Sequence, residues 1–319
     1  MKTIRTPCLA ALNVCLLLAT NCWGFPGPPQ SLVDSWTESS AVVYADVSFV
    51  KDVERGQRAI LSIVGTLKSR PREQPMETRV FTSIGGCPYP FTFRKGQRII
   101  AFLTFDPAKK MYSPGRCIEA DGKKYRRYST ALKKLPGILG TKDPKTRSRL
   151  LLDWYVACAE NAATRGDGAT GISYARHRAK RVGDPLTGAH KARLATAILA
   201  ENPPGENAAA VAQILVSYPS TDLNRYLLKS LHRSHEVGWS DLTRHAVEKL
   251  PKRLGIKLAR STQTRLDEYW DLLRLVHYRI DREAEPERFE RDQKRLDVLW
   301  GSLSYEIYSQ CKGAIDRKK

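Results

Sequence analysis

The chain is short of acid. Across 319 residues, 33 Asp and Glu face 53 Lys and Arg, for a formal charge of +20 at pH 7. It also lacks any apolar run of about 18 residues, the length a membrane-spanning helix requires. No paired-carboxylate motif, phosphate-cradling glycine loop or adjacent nucleophile–base pair emerges, so the short signatures of the common enzyme classes are missing. A triad assembled from distant residues would leave no such signature. Among six histidines, His232 and His235 stand at an i, i+3 helical spacing. No Cys or carboxylate pair completes a ligand set with them. Favourable positive charge near a helix C-terminus explains them without a metal. The expectation is a non-catalytic protein with no cofactor and no metal.

What is present begins with an export segment. Lys2 and Arg5 form a positive start, Cys8–Thr20 an apolar core, and small residues follow up to Gly24. These are the three parts of a secretory signal. Residues 1–24 are read as a signal peptide, with cleavage before Phe25 and a secreted or periplasmic mature chain. The apolar core is too short for a comfortable span, which argues against a membrane anchor. Asn21 precedes Cys22 where a lipoprotein signal carries a small residue, which argues against lipidation. Of seven cysteines, four lie beyond the signal: Cys87, Cys117, Cys158 and Cys311. An even number in an exported chain suggests two disulfides. The alternative is buried thiols acting as small hydrophobes.

The mature charge is about +18 and is spread along the chain. Such a field favours anionic partners, namely acidic polymers or a membrane surface, while export disfavours nucleic acid. The densest clusters are Lys123-Lys124-Tyr125-Arg126-Arg127 and Arg176-His177-Arg178-Ala179-Lys180-Arg181. The candidate anion-binding residues are therefore Lys123, Lys124, Arg126 and Arg127, with Arg176, Arg178, Lys180 and Arg181. Tyr125 and Tyr128 stand among the first set, as aromatics do on many anion-binding surfaces. A solvated linker is the plainer reading of that run. Arg165-Gly166-Asp167 matches an adhesion tripeptide, but tripeptides recur by chance and these glycines suit a loop. Trp154, Trp239, Trp270 and Trp300 are read as core rather than as a ligand groove.

Periodicity divides the chain. Residues 25–35 read as an extended Pro/Gly-rich leader. From Ser40 to about Ala120 the signals are β, with strands expected at 41–50, 58–67, 78–84, 96–105 and 110–113. Residues 121–145 read as a basic linker. Beyond it, Leu151, Trp154, Tyr155, Cys158, Ala159 and Ala162 share one helical face. Further helices are expected at about 186–201, 206–217, 220–233, 240–255, 262–280 and 286–311. The fold class is thus α+β and multidomain: a β domain over 25–120 and an all-α domain over 146–319, as a bundle or a stack of helix pairs. In a compact bundle the first and last helices meet and Cys158 can bond Cys311. In an extended stack both stay thiols. The expectation leans to the bond.

The β region resembles the netrin-like family, whose best-known members are the tissue inhibitors of metalloproteinases. The resemblance rests on Tyr44-Ala45-Asp46-Val47, Thr66-Leu67-Lys68 and Arg79-Val80-Phe81-Thr82, then Cys87, Phe91 and Phe93, Lys95-Gly96, Ile99 to Leu103, Tyr112 and Cys117. It covers about 80 residues and implies a five-stranded OB-type barrel with an extracellular binding role. Cys87 and Cys117 flank one apolar strand, and closing that loop would contribute roughly 3–4 kcal/mol on the chain-entropy model. The family's inhibitors chelate a protease zinc through a first-residue Cys. Cleavage before Phe25 leaves no such group here.

The expected function is non-catalytic binding of a protein or anionic partner, with the helical domain as scaffold. Metalloprotease inhibition and an enzyme sited in the helical domain are the alternatives. N-terminal sequencing of the exported protein is expected to start at Phe25. A mature chain that starts at Cys22 would restore the inhibitor mechanism.

Overall fold

The computed structural model describes residues 31–53, 56–68, 91–108, 111–179, 183–201, 207–237, 241–278, 280 and 284–317. The expected strand over 78–84, together with Cys87, Lys180, Arg181 and Trp239, lies outside them. The chain forms two compact units, 1–150 and 151–319.

The first unit opens on helix α1 (Leu32–Glu38), where an extended leader was expected. Ser31 caps it: its Oγ accepts from the Asp34 amide at 3.1 Å and donates to the Asp34 carboxylate at 2.6 Å. At the other end the Lys68 ammonium donates to the carbonyls of Trp36 and Ser39, both at 2.6 Å. A cation there satisfies orphan carbonyls and complements the helix dipole.

Four strands follow: β1 (Ala41–Val53), β2 (Gly56–Lys68), β3 (Arg98–Asp106) and β4 (Met111–Glu119). They form an antiparallel sheet in the order β2-β1-β3-β4. Among the described residues the sheet is open and four-stranded, not a closed five-stranded barrel. Period-2 alternation sends Ala41, Val43, Ala45, Val47, Ala59, Leu61, Ile99, Ala101 and Leu103 to one buried face. The opposite face is also closed at its centre, where Val42, Tyr44, Ile100 and Phe102 are buried. β1 carries three register shifts against β2. One of them leaves Val64 without a β1 partner and 57% exposed, as a bulge does. The expected Lys95-Gly96 turn is present, with Gly96 at φ 80°, a conformation that favours glycine.

Residues 121–145 are not a linker. Helices α2 (Gly122–Leu132) and α3 (Leu135–Leu139) occupy them, and α4 (Pro144–Glu160) follows. Hydrophobic burial overrides the basic composition: Tyr128, Leu132 and Leu135 are buried. Asp121 caps α2 by accepting from the Lys124 amide at 2.6 Å.

The second unit is helical, as expected. It contains α5 (Arg165–Arg178), α6 (Gly188–Leu199), α7 (Ala208–Ile214), α8 (Thr221–Val237), α9 (Asp241–Leu254), α10 (Arg260–Tyr278) and α11 (Pro286–Asp316). Packing follows chain order: α7 rests on α5, α6 and α9, α8 on α6, α9 and α11, and α10 on α11. One continuous core runs from Leu152 to Ile315. The expected Cys158–Cys311 disulfide is not formed; both are buried thiols. The last helix packs mainly on α8, α9 and α10, so it has no cause to meet α4. Burial pushes the Cys311 thiol up to about 12, which keeps it protonated and inert.

The segment at Gly166 and Gly168, expected as a loop, is the start of α5. A Cβ at Gly168 would lie 2.2 Å from the Ala159 amide nitrogen, and one at Gly171 would lie 2.0 Å from the Tyr155 ring. These glycines let α5 cross α4 at backbone contact. Gly168→Ala is expected to destabilise by about 1–3 kcal/mol through overpacking. Gly301→Ala is expected to stabilise by about 0.5–1 kcal/mol, because open space surrounds Gly301 inside α11. Denaturant midpoints of the two variants should therefore move in opposite directions.

Candidate functional site

Helix α2 is oriented by an aromatic pair. Tyr125 stacks on Tyr44 of β1, with ring centroids 3.8 Å apart and planes inclined by 6°. Such a pair contributes about 0.5–1.5 kcal/mol beyond its buried area. Gly65, paired with Tyr44 across the hairpin, makes room: a Cβ there would lie 3.2 Å from the Tyr125 hydroxyl. The Tyr44 ring also carries Arg98, whose Cζ lies 5.7 Å from the centroid. Asp46 holds Arg98 by two bonds, at 2.6 and 3.2 Å.

With Tyr125, Tyr128 and Leu132 turned inward, helical periodicity places Lys123, Arg126 and Arg127 on the opposite side. All three are exposed, and Lys124 flanks them half-buried. The first cluster of candidate anion-binding residues is therefore displayed on one helix face. Its tyrosines are not: both are committed to the fold, contrary to the expectation of interleaved aromatics.

The cationic character continues past α2. Residues 121–149 hold ten Lys and Arg against two Asp. Lys133, Lys134, Lys142, Lys145 and Arg149 are exposed, and Arg147 is half-buried. Both acids are spent on helix starts: Asp121 on α2, and Asp143 on α4, where it accepts from the Thr146 amide at 2.7 Å. That bond, with the Thr146 hydroxyl, holds the Asp143 carboxyl below its ordinary range. None of the ten cations forms an ion pair among the described residues. Two lysines also crowd the positive end of the α2 dipole, with no acid in the first turn. Among the described residues, no carboxylate neutralises this charge.

In the second expected cluster Arg176 is committed to the fold, and Lys180 and Arg181 lie outside the described residues. Arg176 forks onto Asp184 at 3.0 and 2.8 Å and donates to the Ile214 carbonyl at 2.8 Å. Lys191 shares the same carboxylate at 2.8 Å. Arg178 is exposed at the end of α5, where a cation suits the dipole. Elsewhere in the second unit many cations are likewise paired, as in Arg193–Glu160, Arg265–Glu306 and Arg295–Glu268.

The remaining candidates are structural. Arg165 is fully buried and Asp167 8% exposed, so the tripeptide is unavailable for adhesion. Arg165 forks onto Glu201 at 2.6 and 2.7 Å. Gly166-x-Gly168-x-x-Gly171 has the spacing of a dinucleotide fingerprint. A helix rather than a strand precedes it, so the required context is missing. His232 packs edge-on against Tyr308, with centroids 5.0 Å apart. No metal-ligand cluster occurs among the described residues. Trp154 and Trp300 are buried as expected, whereas Trp270 is half-buried and lines a cleft. His190 faces Asp153 at 2.8 Å, a pairing that resembles a catalytic dyad. Its other ring nitrogen accepts from the Thr187 amide in a capping box on α6, so the pair locks a helix start. Arg253 lines another cleft but donates to the carbonyls of Leu215, Val216 and Tyr218 at 2.7–2.9 Å, which commits it to the turn after α7.

His245 is buried on α9, and its Nε2 lacks a hydrogen-bond partner. Burial, with Lys249 nearby, pushes its pKa down to about 4 from the ordinary 6.5. The unfolded chain therefore takes up this proton first as pH falls. Its stabilising effect should be complete above about pH 6.5 and disappear as pH drops toward 4. The thermal midpoint of His245→Leu should fall less over that interval than that of the parent. Parallel curves would mean that His245 titrates normally. No family model, curated protein or solved structure matches the chain, so the reading of function rests on this geometry.

Proposed function

We propose that the protein is an exported, non-catalytic binder of acidic polymers, and that the binding surface is the outward face of α2 with the cationic turns that follow it. The carrying observation is the ten cations over 121–149 whose only two acids are consumed as helix caps. A surface repelling itself in this way is costly unless an anion relieves it. A polymer fits better than a bilayer. Among the described residues, no large exposed apolar side chain lies within 121–149. Interfacial membrane binding needs such side chains beside the charge.

In this reading the sheet is part of a netrin-like, OB-type barrel. The order β2-β1-β3-β4 leaves β2 and β4 as edges, and a strand over 78–84 would have to join them to close it. The small residues Ala41, Ala45, Ala59 and Ala101 on the inner face suit a tightly curved interior. The barrel then serves as the rigid platform that holds α2, and the helical unit as scaffold.

Retention on a sulfated resin tests this function. The parent should bind at about 0.15 M salt, where screening reaches ~8 Å and only clustered charges act together. Replacing Lys123, Lys124, Arg126 and Arg127 by Gln should lower the salt dependence by about three to four charges on the counterion-release relation. Replacing the ion-paired Arg225, Arg274, Arg288 and Arg295 by Gln should change it far less. Equal losses would reduce the effect to net charge, and no retention of the parent would remove the function. Binding to anionic vesicles but not to the resin would transfer the surface to lipid.

A further inference from the structure

The helical unit contains a cleft in which cations border an apolar wall. The C-terminal half of α9, the turn at 255–259 and the start of α10 enclose a cleft of about 710 Å³. That volume falls in the range of small-molecule sites, roughly 300–1,000 Å³. Its walls are apolar at Leu258, Leu266 and Trp270, and its rim carries Lys252, Lys257 and Arg260. These three cations are exposed and have no acidic partner among the described residues. The single acid in the lining, Glu248, is already neutralised by Arg244 at 3.1 Å and Lys249 at 3.8 Å. Arg244 also lies over the Trp270 ring, 5.0 Å from its centroid, which keeps this half-buried indole in place at the cleft. The wall has one further polar feature. Pro251 stands inside α9 and carries no amide hydrogen, so the Val247 carbonyl lacks its usual helical donor. Both residues line the cleft.

The geometry points to a binding site for a small amphipathic anion: a flat or branched apolar body against Trp270, Leu258 and Leu266, with a sulfonate, carboxylate or phosphate head among Lys252, Lys257 and Arg260. The charge is complementary on one side only, and the apolar wall would otherwise face water. An acidic polymer suits the open face of α2, whereas a half-open cleft with an indole wall suits a compact molecule. The inference is independent of the polymer-binding function and involves different residues.

Anilinonaphthalene sulfonate is a direct probe, and N-phenylnaphthylamine is the same ring system without the acid. The folded parent should bind the sulfonate more tightly than the neutral amine, with quenching of tryptophan emission that is lost in Trp270→Phe. Lys252→Gln, Lys257→Gln and Arg260→Gln together should weaken the sulfonate about tenfold and leave the amine unchanged. Lys257→Glu alone, on the turn outside either helix, should weaken it in the same direction and guards against misfolding of the triple variant. Lys123→Gln, Arg126→Gln and Arg127→Gln together should leave sulfonate affinity unchanged. Equal parent affinities for the two probes, an unaltered sulfonate affinity in the rim variants, or an equal loss in the α2 variant would overturn the site.

Discussion

Everything proposed for the first unit depends on which way α2 faces, and an aromatic stack decides that. Tyr125 lies flat on Tyr44 because Gly65 offers no side chain in the way. With that ring turned in, the 100° step of the helix sends Lys123, Arg126 and Arg127 outward. A rotation of α2 by half a turn would bury cations against Tyr44 and expose Tyr128 and Leu132. Burial of unpaired charge is far more costly than the stack is favourable, so the orientation is held from both sides.

The helical unit and the segment 121–149 handle positive charge in opposite ways. In the helical unit, carboxylates face many of the arginines, and several guanidinium groups serve as structural donors. Arg165 and Arg176 bind carboxylates and backbone carbonyls at once, and Arg253 satisfies three carbonyls and Asn224 after α7. These side chains add to the formal charge yet contribute little to an external field. Among the described residues, the cations over 121–149 have no such employment. Net charge therefore says less about binding than the distribution of acid does.

Some of the organisation was legible from local patterns. The change of period placed the β and α units, and Ser220 was readable as a helix start; its hydroxyl accepts from the Leu223 amide at 3.1 Å. The first basic cluster was legible as an anion-binding candidate. The second was not separable from it, since the ion pairs of Arg176 come from Asp184 on the following loop. The helices over 121–145 were obscured by their lysines, prolines and glycines. Their apolar residues are few but sit where the fold buries them. The cleft beside Trp270 left no signature, because its rim is drawn from two helices and a turn.

The sequence alone determined the class of the chain: α+β, strongly basic, with a β region preceding an α region. These follow from composition and from hydrophobic period, which are local properties that short segments carry by themselves. The tertiary structure decided which cations are available, which tyrosines are core, and that Cys158 and Cys311 remain thiols. Those outcomes depend on neighbours distant in sequence, through the stack of Tyr125 on Tyr44 and the chain-order packing that sets α11 against α8, α9 and α10. Pairing and burial are relations between segments, and no segment carries them alone.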